Sequence, residues 1–76
     1  MARIQNNMLL RKEIGRRFTQ LRDARKLTIA QVARESKISR DTIKGIEQGT
    51  TEWLITTMIN LCRYYNQLPS EFLKGL

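Results

Sequence analysis

Apolar residues in the first third of the chain recur at helical spacing. Leu10, Ile14, Phe18 and Leu21 are separated by four, four and three positions, which is one face of an α-helix. Arg11, Lys12, Arg16, Arg17, Arg22, Arg25 and Lys26 occupy the other sides. Asn6 or Asn7 is available to cap this first helix. Gly15 lies inside it and costs about 1 kcal/mol relative to Ala; a close helix crossing would account for it. Thr28-Ile29-Ala30-Gln31 has the form of a capping box and opens a second helix over about 28–35. Val32 and Ala33 face inward, and small Ala33 lets the next helix cross closely. Ser36-Lys37-Ile38 interrupts the pattern, and Ser39 caps a third helix over about 39–48. Ile43 and Ile46 form its buried edge, and Gly49 suits the left-handed position that ends it.

Residues 50–53 read as a loop. Leu54, Ile55, Met58, Ile59, Leu61, Cys62 and Tyr65 then form a broad apolar stripe, so the fourth helix is expected to be more buried than the others. Asn66 can stop it in the left-handed region. Pro69 suits the first turn of a short fifth helix, Ser70 to Leu73. No β alternation, internal repeat or low-complexity segment is visible. The pattern predicts an all-α, compact five-helix fold, with residues 1–7 as an arm and residues 8–76 as one domain.

Charge adds a partner class. The net charge of the 76 residues is +7. Residues 1–49 hold twelve Lys or Arg against five Asp or Glu, while residues 50–76 balance at two against two. The whole excess therefore falls on the part with the two short capped helices, the footprint of a polyanion binder.

Catalytic chemistry has little to work with. The chain has no His, and Cys62, the single cysteine, sits on an apolar stripe, where a core thiol is the expected role. No metal-ligand spacing, phosphate-cradling glycine loop or acid/base pair appears. The expectation is no enzyme, no metal, no cofactor and no small-molecule ligand. No apolar run approaches the ~20 residues that span a bilayer, and Met8-Leu9-Leu10 is too short for a secretory leader. A reducing cytoplasm is the expected compartment, with no membrane partner.

The order of these pieces resembles the lambda-repressor-like (Cro/C1-type, or XRE) helix-turn-helix family. The matching pieces run from Ile14-Gly15 through Leu21-Arg22, Leu27-Thr28, Val32-Ala33, Ile38-Ser39, Thr42-Ile43 and Ile46-Glu47-Gln48-Gly49 to Tyr65-Asn66 and Pro69-Ser70-Glu71-Phe72-Leu73. The resemblance covers roughly residues 10–74. It implies a transcriptional regulator of bacterial or phage origin that binds double-stranded DNA sequence-specifically, the first helix of the motif crossing the backbone and the second lying in the major groove. It implies base contacts from Arg40, Asp41, Lys44 and Gly45. Arg can bond guanine O6 and N7 together, and Asp can accept from a cytosine amine. It implies phosphate contacts from Thr28, Ser39, Thr42, Lys37 and Arg22. It also implies a structural ion pair between Arg22 and Glu47.

A homodimer on a palindrome is the expected assembly, with Leu68, Phe72, Leu73 and Leu76 as the interface and Trp53 as a possible contributor. Arg3 in the N-terminal arm is a further candidate for DNA. Three positions depart from the family pattern. Lys37 stands where glycine is common, Ile29 where a glutamine often follows the cap, and Thr50-Thr51-Glu52-Trp53 where a basic loop is usual. The main alternative is a helix-turn-helix protein-interaction module, antitoxin-like or an adaptor, with weak or no specific DNA binding. Non-specific binding to nucleic acid or anionic membrane is a third reading.

Overall fold

The computed structural model describes residues 7–50 and 55–76; the Asn7 side chain, Arg3, Asn6, Trp53 and Leu54 lie outside that description. Five helices follow in order: α1 (Asn7–Ala24), α2 (Ile29–Ser36), α3 (Arg40–Gln48), α4 (Ile55–Tyr64) and α5 (Pro69–Phe72). No strand occurs among the described residues. The fold is all-α.

Each helix ends where local chemistry stops it. α1 closes with Lys26 N–H donating to Asp23 O and Leu27 N–H to Arg22 O, with Lys26 left-handed at φ 55°. This is a Schellman motif, and no glycine announces it. α2 begins on the reciprocal cap: Thr28 Oγ1 accepts from Gln31 N–H, and Gln31 Oε1 accepts from Thr28 N–H. It ends on Lys37, left-handed at φ 64°. α3 begins on Ser39 and ends on Gly49 at φ 70°. Asn66, at φ 60°, closes the chain after α4 in the same way.

The core draws from every helix. Ile14, Phe18, Val32, Ile43, Ile46, Met58, Leu61, Cys62, Tyr65 and Phe72 are all buried. Phe18 stacks on Phe72 with ring centroids 4.2 Å apart and meets Tyr65 at 6.2 Å. Burial pushes the Cys62 thiol pKa upward. Two expected core positions fall outside: Leu10 is 42 % exposed and Ile55 62 % exposed. The Lys12 backbone already lies against Gly49, which ends α3; the turns of α1 before it run past that helix.

Phe72 needs a correction as an expected dimer contact. It is 5 % exposed and stacked in the core, so its surface is spent inside the monomer. Leu68 is 67 % exposed, Leu76 45 %, and Leu73 is half-buried against the core.

Side chains bind distant parts of the chain together. Arg17 Nη1 donates to the carbonyls of Phe72 at 2.8 Å and Lys74 at 2.7 Å, while Glu13 accepts from Arg17 Nε at 3.0 Å. Glu13 also accepts from Arg16, and hydrogen bonds from Arg16 and then Arg17 hold its carboxyl down at about 2. Tyr64 donates its hydroxyl to Glu35, linking α4 to α2, and that bond raises the phenol pKa.

Candidate nucleic-acid interface

α3 has two opposed faces. Ile43, Gly45 and Ile46 are buried, whereas Arg40, Asp41, Lys44 and Gln48 are exposed. The exposed positions fall at i, i+1, i+4 and i+8, a single helical stripe. No ion pair or side-chain hydrogen bond occupies Arg40, Asp41 or Lys44 among the described residues. Their donors and acceptors face solvent.

The inner face is set chiefly against α1. A methyl group at Gly15 would lie 2.3 Å from Ile46 O and 2.5 Å from Glu47 O. Glycine is therefore what allows the two backbones to meet. Close by, Arg22 grips Glu47 with two parallel bonds, Nε to Oε2 at 2.8 Å and Nη2 to Oε1 at 3.0 Å. A planar guanidinium matches a carboxylate in this bidentate form. Arg22 Nη1 donates to Leu27 O at 2.9 Å, and the single Thr19 hydroxyl proton is shared between Gly15 O at 2.9 Å and Glu47 Oε1 at 3.2 Å. The Arg22 and Glu47 side chains are only 17 % and 6 % exposed. The hydrogen bond to Glu47 raises the Arg22 pKa, so the guanidinium stays charged. The end of α3 is thus fixed to α1 and to the turn before α2 by one network.

Tyr65 lies in the same interior. Its hydroxyl is buried without a hydrogen-bond partner among the described residues, and burial pushes its pKa up to about 12. Arg25 covers the ring at 5.3 Å and donates to the Tyr65 carbonyl at 2.7 Å.

Two of the expected DNA contacts are corrected by this geometry. Gly45, expected at base edges, is buried; it lies at the margin of the charged stripe and has no side chain to reach outward. Arg22, expected on phosphate, spends Nε, Nη1 and Nη2 inside the fold. The hydroxyls divide differently. Ser39 Oγ accepts from Thr42 N–H and donates to Thr42 Oγ1 at 2.8 Å. One of the two hydroxyl protons is spent on this bond, and the other is left over. Thr28 Oγ1 only accepts, so its proton is also free. Lys37 is exposed at the turn and lines an open groove of about 530 Å³ with Arg34, Ser39 and Arg40.

A second groove, of about 340 Å³, lies between the start of α2 and α3; Ile29, Arg40, Asp41 and Lys44 line it. Sequence reading singled out three of these four and not the role of Ile29 in joining them. It also missed Thr19, Gln48 and the Arg17 bonds. Thr19 was findable, because i,i+3 spacing places it on the face of Arg22. The Arg17 bonds span 55 and 57 residues and leave no local signal.

Among the described residues, no cluster of His, Cys, Asp and Glu can hold a metal ion, and no helix is long and apolar enough to cross a membrane. Residues 13–72 match the family described as helix-turn-helix domain. No curated protein and no solved structure matches the chain.

Proposed function

The chain belongs to the helix-turn-helix domain family, and from that premise we propose that it is a sequence-specific, double-stranded-DNA-binding transcriptional regulator whose α3 enters the major groove. The family suggests DNA as the partner. The order of pieces and the Arg22–Glu47 fork favour the lambda-repressor-like, Cro/C1-type branch. The observation that carries the reading is the division of α3: its inner face is pinned to α1, and Arg40, Asp41 and Lys44 stand outward with their polar atoms unspent. A helix held this way presents a fixed pattern of donors and acceptors, which is what base readout needs.

Arg40 takes a guanine through O6 and N7, Asp41 accepts an amine from cytosine, and Lys44 reaches a base or a phosphate. Thr28, Ser39 or Thr42, and Lys37 bond the backbone and set the register. One α3 covers only a few base pairs. Two copies on a two-fold axis place their helices about 34 Å apart on a palindrome, and Leu68, Leu73 and Leu76 are the apolar residues available to join them. The protein works in the cytoplasm of a bacterium or on a phage genome, by occupying or exposing a promoter.

Selection from a random duplex library at fixed salt tests the reading, followed by titration of the selected duplex over a range of salt. The expected results are a consensus with two-fold symmetry and a steep loss of affinity with salt. Arg40→Ala should relax one position of the consensus, at about 1–3 kcal/mol of lost discrimination. A flat selection, with equal affinity for random duplexes, would overturn the proposal.

A further inference from the structure

The groove between α2 and α3 is mixed in character. Arg40, Asp41 and Lys44 are charged and exposed, and Ile29 is apolar. Ile29 is half-buried: part of its side chain packs against the core, and the remainder lines the groove. It is the first residue of α2 and follows the Thr28 cap. An aliphatic side chain cannot bond a phosphate oxygen. The cations beside it nevertheless favour bringing a polyanion to this groove. Among the groups that base edges present in a major groove, the apolar one is the thymine methyl.

We propose that Ile29 is a specificity-determining residue that packs on the 5-methyl group of a thymine, beside the bases taken by Arg40 and Asp41. This rests on the proposal that α3 enters the major groove. It makes α2 a contributor to base choice as well as a support for α3. It also makes the operator half-site carry a T·A pair within reach of the base pair that Arg40 reads.

The test uses the duplex selected by the wild-type chain. Each thymine in turn is replaced by uracil, which removes the methyl group and leaves pairing intact. Affinities are measured for the wild type, Ile29→Ala and Ile29→Val. One thymine per half-site should show a wild-type loss of about fourfold, the size of one buried methyl group. At that position the loss should fall below about 1.5-fold in Ile29→Ala, since the contact is already absent. Ile29→Val keeps most of the side chain, preserves the fold and should retain part of the sensitivity.

Equal uracil sensitivity in all three proteins, or none at any thymine, would overturn the inference and leave the Arg40 reading standing. Tighter binding on methylation of a cytosine, without a uracil effect, would overturn thymine as the occupant. Failure of the wild-type selection to give a consensus would overturn both proposals.

Discussion

Gly15→Ala tests the crossing of α1 and α3 on which the exposed stripe depends. The added Cβ would sit 2.3 Å from Ile46 O, 2.5 Å from Glu47 O and 2.8 Å from the Glu47 carbonyl carbon. All three are backbone atoms, so no flexible side chain can swing aside. Real Cβ contacts essentially never fall below 3.0 Å, so α3 must retreat by about 0.7 Å or more. Overpacking of a filled interior costs about 1–3 kcal/mol, occasionally more. Helix propensity opposes this, because Ala favours α1 by about 1 kcal/mol over Gly. Three simultaneous backbone clashes place the packing cost at the upper end. The net loss is therefore about 1–2 kcal/mol, a fall in melting temperature of roughly 5–15 °C for a domain of this size. The retreat also draws Glu47 away from Arg22 and tilts the outer face of α3. Thermal unfolding followed by circular dichroism reads the effect, with exposed Gln20→Ala in the same helix as the control. A Gly15→Ala protein that melts at or above the wild type would refute the close crossing and the reasoning built on it.

Three further outcomes follow from the same geometry. Glu47→Gln leaves the largely buried Arg22 guanidinium with only the more distant, exposed Asp23 carboxylate at 3.7 Å as counter-charge and should cost about 2–4 kcal/mol in urea unfolding; a cost near zero would mean that Asp23 and water suffice to screen it. Lys37→Gly removes a left-handed non-glycine residue at φ 64°. Strain of about 1–2 kcal/mol, offset in part by glycine's larger backbone entropy, predicts a gain of about 0.5–1 kcal/mol in the same assay; destabilisation would argue against the left-handed turn. Glu13 has its pKa lowered from 4.5 to about 2, so its contribution is present above the ordinary carboxylate range and is lost as pH falls toward about 2. The wild type should therefore lose more melting temperature across that window than Glu13→Gln does, and added salt should shrink the difference because the site is exposed; parallel acid profiles would show that the Arg16 and Arg17 bonds contribute nothing.

Legibility followed the range of the interaction. The reciprocal cap at Thr28 and Gln31, the Ser39 cap and the Gly49 stop depend on residues within a few positions of one another, and the string of letters shows them. Lys26 in the left-handed region was not legible, because its conformation is imposed by the bonds of Asp23 and Arg22 carbonyls rather than by its own preference. Leu10 and Ile55 fit apolar stripes and yet stand exposed; periodicity gives the face of a helix but not where its neighbours end. Gly45 shows the same limit within the site. The family resemblance implies a base contact there, while burial takes it out of reach.

From the letters alone came the helices, their order, the basic bias of residues 1–49 and the outward identity of Arg40, Asp41 and Lys44. These rest on propensity, capping and period, which act over one or two turns. Tertiary structure alone decided that the helix meeting Gly15 is α3, that Arg22 also bonds the Leu27 carbonyl, that Phe72 belongs to the core, and that Ile29 shares a groove with Arg40. Most of those outcomes depend on distances between residues far apart in the chain. Such distances are set by how the close-packed interior is filled as a whole, and no local stretch contains them.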